Sequence, residues 1–198
     1  MLGGFARPRA ASVQAVSVAW VRTGSVDTVL VVVRGNSASG KSSVAAGLRA
    51  GFGRGLAIVG QDNLRRTVLR EWDRPGASNV GLIGVVARYA LDHGFHVVVE
   101  GILYAEHYGA MLAELMSDHR GATHAYYLDV PFEETLRRHA TKPQEGEYGE
   151  AEMRGWYRAA DLLPGGVETV IGAESALTAS VERILRETGL GRWAAGER

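Results

Sequence analysis

The chain has 198 residues, 46% of them hydrophobic and 22% charged, a composition typical of one soluble α/β domain and short for two. Its formal net charge is zero, which argues against a surface built to bind nucleic acid or a membrane. The absence of cysteine excludes disulfides, thiolate metal ligands and cysteine nucleophiles, and no apolar run approaches the ~20 residues that span a bilayer. We therefore expect a cytoplasmic globular protein.

Residues 1–27 precede the regular pattern of the chain, and we expect them to form an N-terminal extension that is either a short peripheral strand or partly disordered. Arg7 and Arg9 stand before an apolar stretch, as the charged region of a signal peptide does. Ser12 and Gln14 interrupt that stretch, so the signal peptide is the less favoured interpretation.

From residue 28 onward, segments of strand character alternate with segments of helical spacing. We predict strands at 28–33, 56–60, 95–99, 123–128 and 168–171, and helices at 41–50, 63–72, 79–91, 106–118, 131–140, 150–161 and 174–187. Asn79 is a suitable N-cap for the third helix. This alternation favours a three-layer α/β/α fold with about five strands in a central parallel sheet. Residues 28–188 would form this domain, and 189–198 a C-terminal tail.

The first strand leads into the most informative stretch of the chain, Gly35-Asn36-Ser37-Ala38-Ser39-Gly40-Lys41-Ser42-Ser43, which contains the pattern G-x-x-x-x-G-K-S. Its glycines let successive backbone N–H groups point inward, and the helix that follows adds its positive dipole end. Lys41 is placed to reach the β- and γ-phosphates, and the Ser42 hydroxyl to hold Mg²⁺. Lysine occurs only here and at Lys142, whereas arginine serves elsewhere as the cation. The pattern predicts a P-loop NTPase fold that binds ATP and Mg²⁺.

Two acidic residues end predicted strands, and ligands of parallel sheets bind at the carboxyl ends of the strands. Asp62 is placed to accept the proton of a substrate hydroxyl as it attacks the γ-phosphate. The alternative is that Asp62 only caps the following helix. Glu100 is expected to hold the hydration shell of Mg²⁺ or a substrate hydroxyl, and the alternative is an acid that simply faces water.

A helix with acids at its start and bases at its end occupies 131–140, and a polar segment containing Lys142 follows it. Stabilisation of the helix dipole is sufficient to explain this pattern. The favoured interpretation is a mobile cationic lid over 137–160, with Arg154 and Arg158 on one helical face, that closes over the transferred phosphate.

Together these residues resemble the small P-loop kinases of the nucleotide and shikimate kinase type, and among them the chloramphenicol phosphotransferase and zeta-toxin-like kinases. The resemblance covers about 28–187 and is carried by the phosphate loop, Gly60-Gln61-Asp62, Val98-Val99-Glu100-Gly101 and Leu136-Arg137-Arg138. It implies that Asp62 is the catalytic base and that Arg137 and Arg138 stabilise the transferred phosphoryl group. The paired lid signature of adenylate kinases is absent, which counts against nucleoside monophosphate acceptors.

The sequence therefore predicts an ATP-dependent kinase that phosphorylates a hydroxyl group of a small molecule, such as an antibiotic, a nucleoside or a sugar, with antibiotic resistance as one consequence. The expected catalytic residues are Lys41, Asp62, Arg137 and Arg138. The residues expected to contact the acceptor are Asp62, Arg66, Glu100 and Tyr104.

Two alternatives remain open at this point. One is a switch protein that hydrolyses a nucleotide slowly and binds a partner, although the guanine-reading Asn-Lys-x-Asp motif is absent. The other is a toxin-like kinase that acts on a sugar nucleotide. The expected partner is a small hydroxylated substrate, with no nucleic acid and no membrane, and the oligomeric state is not indicated.

Overall fold

A five-stranded parallel sheet lies at the centre of the computed structural model, which describes residues 22–141 and 148–193. The strands are β1 (Val29–Gly35), β2 (Leu56–Gly60), β3 (His96–Gly101), β4 (Ala122–Asp129) and β5 (Glu168–Gly172). Their order is β2-β3-β1-β4-β5, and every neighbouring pair is parallel. Because helices cover both faces, the predicted three-layer α/β/α P-loop NTPase fold is confirmed.

The α-helices of the described residues connect the strands and follow them. They are α1 (Lys41–Phe52), α2 (Ser78–Asp92), α3 (Ala105–Asp118), α4 (Phe132–His139), α5 (Glu150–Trp156), α6 (Leu177–Glu187) and α7 (Leu190–Trp193). A π-helical turn at Asn63–Val68 and a 3₁₀ turn at Pro164–Gly166 complete the elements. The strands lie within two residues of their predicted bounds, whereas the segments predicted as helices at 63–72 and 150–161 end early.

The prediction of Asn79 as an N-cap is wrong, since it lies inside α2 and is buried. Glu71 supplies the missing cap, because its carboxylate accepts hydrogen bonds from the backbone N–H groups of Ser78 at 2.8 Å and Asn79 at 2.9 Å. Burial raises the pKa of Glu71, but these hydrogen bonds outweigh it and leave the pKa below its usual value.

The uninterrupted apolar sequence of β1 is explained by two cores, one on each face of the sheet. Leu30 and Val32 pack with residues of α2 and α3. Val31 and Val33 pack on the other face with residues of α1 and α6. The four side chains are fully buried, so β1 holds the phosphate loop on a rigid base.

The ends of the described chain are attached to the domain. Thr23 forms a parallel bridge with His119, as a peripheral strand would, while residues 1–21 lie outside the described part. Residues 189–198 were expected to be a tail, but Leu190 is buried against the core and begins α7. No helix in the described residues is long and apolar enough to cross a membrane.

Candidate active site

The strand order creates a crevice at the carboxyl edge of the sheet. In the sheet, β3 and β2 lie on one side of β1, and β4 and β5 lie on its other side. The connection from β1 therefore runs in one direction and the later connections run in the other. Loops after neighbouring strands diverge at such a reversal and leave room for a ligand. The segments that follow β1, β2 and β3 meet here, so the predicted phosphate loop, Asp62 and Glu100 are brought together.

The phosphate loop owes its curvature to two glycines with positive φ. Gly35 has φ of 144°, and a Cβ atom there would lie 2.6 Å from the carbonyl oxygen of Leu128 on β4. Gly40 has φ of 107° and immediately precedes α1, so the N-terminus of this helix faces the loop. Backbone N–H groups at a helix N-terminus bind anions such as phosphate.

The Lys41 side chain lies within the curve of the loop. It is buried, and its Nζ donates hydrogen bonds to the Asn36 carbonyl at 2.7 Å and to Ser39 Oγ at 3.4 Å. A compact ammonium group held in this place suits the phosphates of a nucleotide. The predicted phosphate-binding residues therefore form one continuous cradle.

A cleft of about 290 Å³ opens beside the loop, and we call it the phosphate mouth. Its lining includes Lys41, Ser42, Asp62, Arg66 and Glu100. The Ser42 hydroxyl donates a hydrogen bond to Glu100 Oε2 at 3.1 Å, which places two hard oxygen ligands side by side. Mg²⁺ prefers such oxygen ligands, usually one or two from the protein, with phosphate and water supplying the rest. These residues therefore fit MgATP.

Asp62 follows β2 and stands at the boundary between two clefts. Its side chain is mostly exposed, and Oδ1 accepts a hydrogen bond from Arg65 Nη2 at 2.9 Å. It occupies the position before the π-helical turn but makes no side-chain capping bond, so the alternative of a simple helix cap has no support here. Its carboxylate is accessible to a substrate.

The second cleft encloses about 480 Å³, and we call it the acceptor cleft. It adjoins the phosphate mouth, because the two share Ser37, Asp62, Arg66, Ile102 and Tyr148 in their linings. The remaining wall is made by Arg65, Trp72, Asp73, Tyr104, His107, Glu152, Gly155, Trp156 and Arg158. Arg66 and Tyr104, predicted to contact the acceptor, both line this cleft, whereas Glu100 lines only the phosphate mouth.

A buried polar network supports the floor of the acceptor cleft. Gln61 Nε2 donates to Asp73 Oδ2 at 3.0 Å and to the Tyr108 hydroxyl at 2.8 Å. Tyr108 is within 2.9 Å of Asp73 Oδ1 and 2.8 Å of Asn79 Oδ1. Burial, together with the charge of Asp73, raises the pKa of Tyr108, so its hydroxyl remains a neutral donor. This network joins the ends of β2, α2 and α3.

Arg137 and Arg138 lie elsewhere, on a cleft of about 390 Å³ between the phosphate loop, α4 and the start of α6, which we call the α4 cleft. Both donate to Glu134, at 2.7–2.8 Å, and these bonds lower the pKa of Glu134 to about 2. Arg138 also donates to the carbonyls of Ser39 at 3.0 Å and Ala173 at 3.2 Å. Neither arginine lines the phosphate mouth, although Arg138 contacts the phosphate loop at Ser39, and their role toward the transferred phosphoryl group stays a prediction.

The predicted lid is only partly described, because residues 142–147, with Lys142, lie outside the described part. Helix α5 ends at Trp156, so Arg154 and Arg158 do not share a helical face as expected. Arg154 pairs with Glu150 at 2.7 Å and lies over the Phe132 ring at 4.3 Å. Arg158 instead lines the acceptor cleft.

Comparison with known proteins agrees with this arrangement. The family model described as "AAA domain" matches residues 30–162, which is more than half of the chain. The chain belongs to this AAA domain family. No curated protein sequence matches it.

Solved structures with the same fold include several kinases. The APS kinase of Mycobacterium tuberculosis in complex with AMPPNP and APS has a TM-score of 0.63 and 19% identity, covering 83% of this chain and 97% of its own. A gluconokinase from Sinorhizobium meliloti has a TM-score of 0.58 and 18% identity, covering 86% and 95%. The Deinococcus radiodurans tunicamycin resistance protein has a TM-score of 0.56 and 16% identity, covering 82% and 96%. At these identities the similarity establishes the fold.

One polar residue of this AAA domain, Arg34, had not been singled out from the sequence, and Asn36 had been predicted only as part of the phosphate loop. Arg34 is fully buried, and it donates to Asp161 at 2.9 Å and to Glu168 at 2.9 and 3.0 Å. The Asn36 side chain bonds both backbone groups of Arg158, at 2.8 and 2.9 Å. Both residues attach the segment 157–163 to β1. The position of a charged residue at the end of an apolar strand could have indicated that Arg34 has a structural role. Its partners could not have been predicted, because they lie more than 120 residues away in the sequence.

Proposed function

We propose that this protein is an ATP-dependent phosphotransferase that transfers the γ-phosphoryl group of ATP to a hydroxyl group of a small molecule. The observation that carries the proposal is the contact between the phosphate mouth and the acceptor cleft, with Asp62 lining both. A protein that only hydrolysed nucleotide would have no need for a second enclosed cleft at this point. Pockets of this size hold small organic ligands.

The residues of the phosphate mouth fit the roles that this reaction needs. Bound MgATP supplies the phosphoryl group: its γ-phosphorus bonds to the acceptor oxygen as the bond to the bridging oxygen breaks, and ADP leaves. Lys41 and the N-terminus of α1 neutralise charge on the phosphates, and Ser42 and Glu100 hold Mg²⁺. Asp62 orients the acceptor hydroxyl and takes its proton.

The similar structures support a kinase without identifying its acceptor. Their names describe an APS kinase, a gluconokinase and a resistance protein, so the fold serves acceptors of different chemistry. Hydroxylated antibiotics, sugars and nucleosides are therefore the classes to test first. The α4 cleft adjoins the phosphate loop at Ser39 and Gly40 and is the expected place for the nucleoside of ATP.

The experiment is a measurement of ADP release by the purified protein with ATP and Mg²⁺ against a panel of these acceptors. Each acceptor that stimulates ADP release is then examined by mass spectrometry for the gain of one phosphoryl group. We expect stimulation that disappears in Lys41→Ala and Asp62→Asn.

The matched control is Asp129→Asn, the same change at the end of strand β4, where the side chain lines none of the three clefts. It should retain activity. Slow hydrolysis that ignores every acceptor and is unchanged in Asp62→Asn would contradict the proposal and favour the switch protein.

A further inference from the structure

The charge of Arg158 faces the acceptor cleft without a carboxylate partner among the residues that the structure describes. Its Nη1 donates to the carbonyl oxygens of Gly155 at 2.9 Å and Tyr157 at 3.0 Å. Its guanidinium lies over the Tyr104 ring, 5.5 Å from the centroid. By contrast Arg65, which lines the same cleft, pairs with Asp62 at 2.9 Å. Carbonyls and a ring stabilise a cation but leave its charge uncompensated.

The backbone of Arg158 is held in place by the phosphate loop itself. Asn36 Oδ1 accepts from the Arg158 N–H at 2.9 Å, and Asn36 Nδ2 donates to the Arg158 carbonyl at 2.8 Å. Tyr127 on β4 adds a hydrogen bond from its hydroxyl to the same carbonyl at 3.4 Å. The backbone of Arg158 is therefore fixed, and the carbonyls of Gly155 and Tyr157 orient its guanidinium, which lowers the entropic cost of binding a ligand group.

Two of the three carboxylates that line the cleft, Asp73 and Glu152, accept hydrogen bonds from neighbouring donors, and the third, Asp62, pairs with Arg65. Asp73 accepts from Gln61 and Tyr108, and Glu152 Oε2 accepts from the Gly149 N–H at 3.0 Å. The Tyr104 hydroxyl donates to the Trp156 carbonyl at 2.6 Å. The acidic residues of the wall thus serve the protein's own donors.

Arg65 and His107, which both line the cleft, each have one buried nitrogen without a hydrogen-bond partner among the described residues, Arg65 Nε and His107 Nδ1. His107 Nδ1 lies 3.6 Å from Asp73 Oδ1, and this distance is too long for a hydrogen bond. Buried donors are almost always satisfied in folded proteins. Arg65 Nε, which can only donate, is thus left without an acceptor next to the cleft that Arg158 lines.

We infer that the phosphoryl acceptor carries, besides its hydroxyl group, an anionic oxygen group that Arg158 binds. The shared chemistry is that of a carboxylate, a phosphate or a sulfate, each of which accepts charge-assisted hydrogen bonds from a guanidinium. The inference rests on the proposed function, because it names the acceptor class of the same cleft. Arg158 then determines specificity, while Asp62 faces the hydroxyl group that reacts.

The test compares neutral and anionic members of matched acceptor pairs. Each neutral sugar or nucleoside is paired with its carboxylate, phosphate and sulfate derivative, and binding is measured by calorimetry with AMPPNP and Mg²⁺ saturating the phosphate mouth. We expect an anionic member to bind about ten- to a hundredfold more tightly than its neutral partner. Which derivative binds best distinguishes the three anionic groups.

Arg158→Ala should abolish this preference, Arg158→Lys should restore part of it, and the neutral members should be unaffected. The matched control is Arg154→Ala, four residues earlier, whose guanidinium pairs with Glu150 and lines no cleft described above. If no anionic member binds more tightly than its neutral partner, or if Arg158→Ala retains the preference, the inference is overturned.

The two proposals fail in different ways. A protein that phosphorylates neutral acceptors with no contribution from Arg158 would remain a kinase and would refute only the anionic acceptor. A protein that binds anionic ligands through Arg158 but transfers no phosphoryl group to any of them would refute the kinase.

Discussion

The phosphate mouth and the acceptor cleft share a boundary but are built in opposite ways. The phosphate-binding part of the mouth is one continuous stretch, 35–43, shaped by backbone conformation, and the rest of its lining is Asp62, Arg66, Glu100, Gly101, Ile102 and Tyr148. The acceptor cleft is lined by Ser37 and by four further segments, 62–66, 72–73, 102–107 and 148–158, and it depends on side chains. Binding of the ATP phosphates therefore depends mainly on a local sequence motif, whereas the choice of acceptor depends on residues that the whole fold brings together.

The largest effect should follow a change in the mouth, because every acceptor depends on it. Lys41→Ala removes the cation that neutralises the transferring phosphates, and we expect a loss of about a thousandfold in kcat/KM for every acceptor. Steady-state ADP release measures it, and circular dichroism shows whether the variant is folded. A loss below tenfold in a folded variant would mean that Lys41 does not contact the phosphates.

Asp62→Asn changes the boundary between the two regions and should come next. Loss of a general base typically costs about a hundredfold or more in kcat, while binding of ATP should be nearly unchanged. Separate measurement of kcat and of the KM for ATP tests this. An equal rise in the KM for ATP would place Asp62 in nucleotide binding instead.

Glu100→Gln tests the metal side of the mouth alone. Removing a negative charge beside Ser42 should raise the Mg²⁺ concentration for half-maximal activity by about tenfold. The rate at saturating Mg²⁺ should recover, since Ser42 and the phosphates remain as ligands. A Mg²⁺ dependence identical to the wild type would exclude Glu100 from the metal site.

Asn36→Ala tests whether the two regions are coupled, since this residue belongs to the loop but holds Arg158 of the cleft. Each lost hydrogen bond is worth about 1 kcal/mol, so the acceptor KM should rise by about tenfold and the KM for ATP much less. Equal changes in the KM values for the acceptor and for ATP would contradict the coupling of the phosphate loop to the acceptor cleft through Asn36.

The smallest effect concerns the amino edge of the sheet, far from both clefts. Burial lowers the pKa of His96 and His119, and His96 Nδ1 accepts a hydrogen bond from the Val29 N–H at 3.0 Å. Because their pKa values are lower in the folded state, the unfolded chain binds more protons below about pH 6.5, and stability falls as the pH falls through that value. Urea unfolding should show a lower midpoint at pH 5 than at pH 7.5, and a smaller difference in His96→Gln. An unchanged midpoint would contradict the burial of these rings in their neutral form.

The sequence predicted the sheet and the phosphate loop well, because both depend on local signals. The apolar run of β1 and the glycines around Lys41 show their roles without reference to distant residues. The position of Asp62 and Glu100 beside the loop was predicted for a similar reason, since each lies at the carboxyl end of a strand, while their roles stay predictions. The rule that ligands bind at carboxyl ends then placed them beside the loop.

The lid and the wall of the acceptor cleft were predicted less well, because distant contacts override local propensity there. Helical spacing continued beyond Trp156, but Asn36 and Tyr127 hold the backbone of Arg158 and end the helix. The segment predicted as a helix over 63–72 likewise ends early, at Val68, and Glu71 then caps α2 through its hydrogen bond to the Ser78 N–H. Neither the hydrogen bonds of Asn36 and Tyr127 to Arg158 nor those of Glu71 to α2 can be inferred from residues that are neighbours in the sequence.

The central claim is that the γ-phosphoryl group reaches an acceptor and not water, and phosphorus NMR of the reaction mixture tests it most directly. With ATP, Mg²⁺ and an acceptor that stimulates ADP release, we predict that the γ-phosphate signal is replaced by that of a phosphate monoester in a one-to-one ratio with ADP. Asp62→Asn should slow this replacement. Conversion of the γ-phosphate into inorganic phosphate alone, at the same rate with and without acceptor, would contradict the account.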